Sequence, residues 1–248
     1  MKIFPLHRPN FALMSRKTIF YVLFFILLFS GFLYGLSRAI PGFTKVKLPV
    51  LSYVKPFSFV NQEGQTITEK DVAGKVYVAE YFFTTCKGIC PKMNTNMKMV
   101  YNHFREEKDF RILSHTVDPE TDSVGRMKRY ADSVLEMPGQ VTGIPAADAP
   151  VASVNTRWWF LTGSKDSLYK AARVSYLLDD PKNSRDKIED QFIHTQFFAL
   201  VDKNGQLRKI YDGLKKDELE ELLKDIQVLL NEKSTGTFTN GLFNNNPN

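Results

Sequence analysis

The sequence predicts an α/β domain, a central mixed sheet flanked by helices, carried behind an N-terminal transmembrane helix. Three observations support this. Apolar runs of strand length alternate with helix-patterned segments through the middle of the chain. Asn204 and Gly205 mark a hairpin near its end. An uncharged apolar stretch of helical length fills residues 18–36.

That stretch, TIFYVLFFILLFSGFLYGL, is bounded by Arg16 and Lys17 on one side and Arg38 on the other. At about 1.5 Å per residue it nearly crosses the ~30 Å hydrocarbon core of a bilayer. The following LSRAIPGF offers no small-x-small cleavage site, so the segment reads as an uncleaved signal anchor rather than a signal peptide. Lys2, Arg8, Arg16 and Lys17 precede it without an acidic residue, which assigns residues 1–17 to the cytoplasm and everything after Arg38 to the opposite side. The expected location is the inner (cytoplasmic) membrane of a Gram-negative bacterium, single-pass, with the C-terminal domain in the periplasm.

Residues 37–54 are basic, Pro-containing and aperiodic, and read as a linker. The domain is expected over residues 55–231, and the Asn-rich stretch 232–248 as a disordered tail. Within the domain, PFSFVNQEGQTIT holds two short strands around a turn at Glu63 and Gly64, and KVYVAEYFF suits a buried central strand. MNTNMKMVYNHFREE reads as a helix, FRILSHTVDPE as a strand ending at Asp118 and Pro119, SVGRMKRYADSVL as a helix and WWFLTG as a short strand. SLYKAARVSYLL starts as a helix, with its second half, ARVSYLL, a candidate strand. After a polar loop, FIHTQFFALVDKNGQLRKIYDGL gives two strands joined at Asp-Lys-Asn-Gly, and DELEELLKDIQVLL closes the domain as an amphipathic helix. This order, with a cysteine turn between the central strand and the helix after it, is that of a thioredoxin-like fold.

The net charge of +6 suggests nucleic acid only until its distribution is considered. Eight of the 33 Lys and Arg precede Glu63, the first acidic residue, which leaves 25 bases against 27 acids in the remainder. The near-neutral domain carries no nucleic-acid footprint; the basic excess reports membrane topology.

Cys86 and Cys90, the only cysteines, share one short motif, TTCKGICP. If Cys90 lies in the first turn of a helix, the i,i+4 spacing brings the two side chains to one face. Two chemistries compete for such a pair: thiol–disulfide exchange, and binding of a soft metal such as copper or zinc. A purely structural bridge closes too short a loop to stabilise a domain of this size appreciably.

Four separated motifs, TTCKGICP, SHTVDPETDS, WWFLTG and IHTQFFALVDKNGQL, make the chain resemble the Sco (SenC) family of membrane-anchored, thioredoxin-fold proteins associated with copper delivery to the CuA centre of cytochrome c oxidase. The resemblance implies that Cys86, Cys90 and His194 are copper ligands, for Cu(I) or Cu(II). Two thiolates and an imidazole form a donor set that suits both oxidation states. A helix N-terminus after Cys90, compatible with Pro91, would favour a nearby thiolate. Read without the resemblance, His194 is more simply a core histidine beside an apolar strand than a ligand. The resemblance also fits a metallochaperone that turns over no substrate and whose partners are an oxidase subunit carrying CuA or another copper protein, with a thioredoxin-like reductant. One departure is Lys87-Gly88, where many relatives carry proline after the first cysteine; the added cation would lower thiolate pKa values and disfavour a bound metal.

The alternative function is a thiol–disulfide oxidoreductase, with Cys86 as nucleophile and Cys90 as resolving thiol, that reduces the cysteines of a metal-accepting partner. A peroxidase is a third option, weakened because FFTTC lacks a Pro-x3-Thr-x2-Cys arrangement. Asp118 either approaches the cysteine loop, tuning a metal or holding the loop by hydrogen bonding, or is a turn-forming Asp-Pro; Asp122 has the same two readings and a better case as a helix cap. Met93 and Met97 have the spacing of an auxiliary copper site but more simply that of core fillers. His115 reads as a locally hydrogen-bonded strand residue.

Overall fold

The computed structural model describes residues 15–39, 48–136, 157–182, 187–188, 191–193 and 195–234. The chain divides into two compact units, Met1–Lys47 and Leu48–Asn248. In the first, helix α1 (Arg16–Ala39) is solvent-exposed from Arg16 through Gly35. Its segment Arg16–Leu36 has a mean hydropathy of 2.3 and is long and apolar enough to cross a membrane.

The second unit is built on one eight-stranded sheet of order β1-β8-β7-β4-β5-β6-β2-β3. Its strands are β1 (Ser52–Tyr53), β2 (Ser58–Asn61), β3 (Thr66–Thr68), β4 (Val76–Phe82), β5 (Phe110–Thr116), β6 (Trp158–Thr162), β7 (Phe197–Val201) and β8 (Gln206–Asp212). The centre is parallel, β4 beside β5 beside β6, and the outer strands add antiparallel, so the sheet is mixed as expected. All seven residues of β4 are buried, which explains why its sequence is apolar apart from Glu80 rather than alternating.

Period-two alternation along β4 supplies two cores. Val76, Val78 and Phe82 face the layer of α2 (Cys90–Phe104), α3 (Val124–Glu136) and α5 (Lys216–Leu230), packing with Met93, Met97, Met127 and Leu222. Tyr77, Ala79 and Tyr81 face the other side, where α4 (Lys165–Lys170) and the π-helical turn Ala171–Ser175 contribute Leu168, Tyr169 and Ala172, followed by Tyr176 just past the turn. Lys98 of α2 donates its ammonium to the carbonyls of Val134 and Leu135, so one helix caps the C-terminal end of the next.

Three segments depart from the sequence reading. ARVSYLL contains no strand: α4 runs on as the π turn because Leu168, Ala172 and Tyr176, spaced by four, all bury against the sheet. The segment read as linker folds from Leu48 onward. Leu51 N–H donates to Leu207, Val54 N–H donates to Gly205, and Ser52 and Tyr53 pair with β8. Arg208, buried in β8, donates to the carbonyls of Leu48 and Pro49 and pairs with Asp202 and Glu232. Glu232, read as the start of the tail, is therefore held by the domain; residues 235–248 lie outside the described residues.

The hairpin turn forms as predicted. Asp202 Oδ1 accepts from the N–H groups of Asn204 and Gln206, and Gly205 takes φ 71°, which its missing Cβ permits. Gly213, after β8, is constrained by space. A Cβ there would come within 2.5 Å of the Phe198 ring and 2.8 Å of the Gln196 carbonyl, which already accepts from Gly213 N–H. Gly213→Ala is expected to cost about 1–3 kcal/mol through overpacking. Chemical denaturation checks this, and a change below about 0.5 kcal/mol would show that the 195–198 segment moves aside freely.

Candidate metal and redox site

Strand β4 ends at Phe82, and a seven-residue connection leads to Cys90, the first residue of α2. Lys92 and Met93 N–H groups donate to the Ile89 carbonyl to open the helix, and Pro91 stands in the first turn, where no intrahelical donor is needed. Cys86 lies before the helix, in the loop, with its N–H bonded to the Phe83 carbonyl at 3.2 Å. The two cysteines therefore meet by a loop turning back on the helix start, not by helical i,i+4 spacing.

Both are free thiols, Cys86 partly exposed and Cys90 4% exposed. They share the wall of a cavity of about 340 Å³ with Tyr81, Phe83, Val117, Ile193 and Thr195. Their environments push them apart. Burial raises the Cys86 pKa, but hydrogen bonds from the Cys90 thiol and from the N–H groups of Cys90, Gly88 and Ile89 outweigh it and lower the value below the ordinary 9.0. Cys90 rises to about 12, chiefly through burial and then through the hydrogen bond it gives to Cys86. Backbone donors at the helix start thus favour the Cys86 thiolate, as expected. Lys87 is exposed, and the largest lowering effects on Cys86 come from the Cys90 thiol and these backbone donors.

His194 lies outside the described residues; its neighbours in the chain, Ile193 and Thr195, both line the cysteine cavity. Asp118 is not among the cavity's lining residues. It forms the turn after β5, its Oδ1 accepting from Thr121 N–H at 3.3 Å and its carbonyl accepting from Asp122 N–H at 2.9 Å. Among the described residues no three His, Cys, Asp or Glu side chains converge. Met93 and Met97, 1% and 0% exposed, are core fillers. His115 is enclosed by the rings of Phe59, Tyr81 and Tyr176, and burial lowers its pKa to about 4.

Two further side chains stand near the site: Asp122, for which capping was the favoured reading and loop-holding the other, and Glu80, which the sequence reading missed. Asp122 is fully buried, and instead of capping α3 its carboxylate accepts from Thr84 N–H at 3.1 Å and from the hydroxyls of Thr84 and Thr116 at 2.5 Å each. Glu80 is fully buried in β4 on the face that carries Cys90. Its Oε1 accepts from Ser114 Oγ at 2.6 Å, and Ser114 in turn accepts from Trp158 Nε1 at 2.8 Å. The signal for Glu80 was a single charge inside an otherwise apolar strand, a pattern that calls for a buried partner.

The SCO1/SenC family model matches residues 47–231. The SCO1 protein homolog of Bacillus subtilis is 30% identical over 190 residues, covering 75% of this chain and 87% of that protein. A SCO1/SenC family lipoprotein from Bacillus anthracis superposes with a TM-score of 0.56 at 29% identity, covering 73% of this chain and 96% of its own. BsSco, a member of the Sco family of cytochrome c oxidase assembly proteins in which a disulfide switch has been identified, gives 0.56 at 29% identity, covering 75% and 99%. The copper-bound ScoI of Arabidopsis thaliana shares the fold, with a TM-score of 0.52 at 22% identity over 71% of this chain and 99% of its own.

Proposed function

The chain belongs to the SCO1/SenC family, and from that premise we propose that it is a membrane-anchored copper metallochaperone. It holds copper as cargo with Cys86, Cys90 and His194 and passes it by ligand exchange to the CuA-bearing subunit of cytochrome c oxidase or to another copper protein. Helix α1 anchors it in the inner membrane, and the domain works on the periplasmic side. The observation that carries this reading is the pair of free thiols on one cavity wall. Thiolates are soft donors suited to Cu(I), and an imidazole added to them makes a site that also accepts Cu(II). Residues flanking His194 line the same cavity, which supports its inclusion.

Anaerobic titration of the reduced protein with Cu(I) and Cu(II) tests it. One tightly held copper per chain is expected, with Cu(II) affinity falling by at least a hundredfold in His194→Ala. Negligible binding by the wild-type chain would overturn the reading.

A second reading is favoured by the contrast between the two thiols. A partly exposed cysteine with a lowered pKa beside a buried one with a raised pKa suits thiol–disulfide exchange, Cys86 attacking and Cys90 resolving. Exchange that survives His194→Ala while copper retention is lost would make reduction of a partner's cysteines, with electrons from a thioredoxin-like reductant, the primary activity.

A further inference from the structure

We infer that Asp122 is a positioning residue for Cys86, acting through Thr84. This rests on the reading that Cys86 and Cys90 are the functional pair. The loop between β4 and α2 must place the Cys86 sulfur under the N–H groups of Gly88, Ile89 and Cys90, which together with the Cys90 thiol are its hydrogen-bond donors. Its downstream end is fixed by the helix itself. Its upstream end is fixed at Thr84, two residues before the thiol, by a clasp from the β5–α3 connection.

Both donors of Thr84 are taken by Asp122. The N–H reaches Oδ2 at 3.1 Å and the hydroxyl reaches Oδ1 at 2.5 Å, while Thr84 Oγ1 accepts from Arg126 Nε at 2.8 Å. Asp122 is held in place by Thr116 at the end of β5, whose hydroxyl donates to Oδ2 at 2.5 Å and accepts from Asp118 N–H at 3.0 Å. The backbone adds a tie from Val117 N–H to the Phe82 carbonyl at 2.9 Å. A carboxylate with no exposure and three charge-assisted bonds to two threonines is a rigid fixture. Asp122 touches neither cysteine; it fixes where the loop leaves the sheet and so where Cys86 arrives. Because the structure is that of the dithiol, the clasp holds the geometry in which Cys86 keeps its donors, and loosening it favours the disulfide.

The test is the thiol–disulfide equilibrium of the full chain, in detergent micelles, against glutathione: one glutathione disulfide oxidises the Cys86–Cys90 dithiol and yields two glutathione thiols. Thr84→Val keeps the side-chain shape and removes the hydroxyl; Asp122→Asn keeps one acceptor and removes the charge; Thr84→Ser keeps the hydroxyl. We expect the first two to shift the equilibrium at least tenfold toward disulfide, about 30 mV for this two-electron couple, and to slow alkylation of Cys86. Thr84→Ser is expected to stay within twofold of wild type. A folded Thr84→Val with a wild-type equilibrium would overturn the inference, and so would a Thr84→Ser variant that shifts as far as Thr84→Val. Failure of Thr84→Val to fold would make the clasp a folding element and overturn it too, while failure of Asp122→Asn alone leaves the decision to Thr84→Val. The equilibrium is read without metal, so a chain that takes up no copper would sink the metallochaperone reading and leave the clasp standing.

Discussion

Arg208→Ala is expected to destabilise the domain by about 3–5 kcal/mol, the cost of removing one partner from a buried ion pair. The side chain is 1% exposed and joins three distant stretches. Nη1 lies 2.8 Å from Asp202 in the hairpin turn and 2.9 Å from Glu232 past α5, and Nε lies 3.0 Å from the Leu48 carbonyl ahead of β1. Truncation strands the Asp202 carboxylate, itself 3% exposed, and leaves the carbonyls of Leu48 and Pro49 without their donor. At roughly 2–4 °C per kcal/mol for a domain of this size, the melting temperature should fall by on the order of 10 °C. Glu232→Ala, whose carboxylate is 28% exposed and can turn to water, should cost far less. Equal losses from the two variants, or a loss from Arg208→Ala below about 1 kcal/mol, would show that the arginine does not bind these segments together.

Glu80→Gln is expected to stabilise the protein at pH 8 by about 3 kcal/mol and to leave it nearly unchanged at pH 4. Burial raises the Glu80 carboxyl from 4.5 to about 7, against the lowering effect of its Ser114 hydrogen bond. Between those values the folded chain keeps a proton that the unfolded chain has released, so stability is full below pH 4.5 and is lost as the pH rises through 7; a displacement of that size is worth about 3 kcal/mol. Glutamine removes the titration, keeps an acceptor for Ser114, and puts an amide nitrogen where Oε2 already stands without a hydrogen-bond partner. His115 works in the opposite sense. With its pKa lowered from 6.5 to about 4 by burial, it contributes stability that is present above pH 6.5 and lost as the pH falls through 4. The two slopes oppose each other between about pH 4.5 and 6.5, so the wild-type curve should be nearly level there and the Glu80→Gln curve should rise with pH. Urea midpoints across the range decide it. A gain of equal size at pH 4 and pH 8 would mean that the carboxyl does not titrate in this window.

Much of the architecture was legible because its signals are local. The run at Val76–Phe82, apolar but for Glu80, suited a strand buried on both faces, Asn204-Gly205 marked a turn, and the repeat of Leu219, Leu222, Ile226 and Leu229 gave α5 its inner face. The cysteine pair was legible for the same reason, since the strand before it and Pro91 after it bracket the loop. What the sequence hid depends on contacts between remote residues. Ser52 and Tyr53 look like linker because a two-residue edge strand has no periodicity, and only the partner β8 reveals it. Alanine-rich AARVS reads as ambiguous because its fate is decided by what the sheet has room to bury. Asp122 looked like a helix cap because its true partner, Thr84, is 38 residues away in sequence.

Because all seven residues of β4 are enclosed, its amide hydrogens reach solvent only when the whole domain opens. Thr85, Lys87, Gly88 and Ile89, just beyond it, lie exposed, and exchange there is expected without such opening. Cys86 therefore sits at the boundary between a part of the chain expected to exchange slowly and one expected to exchange quickly. Under the proposed function, chemistry at the Cys86 sulfur takes place just outside the enclosed strand, so the sheet is expected to stay undisturbed by it.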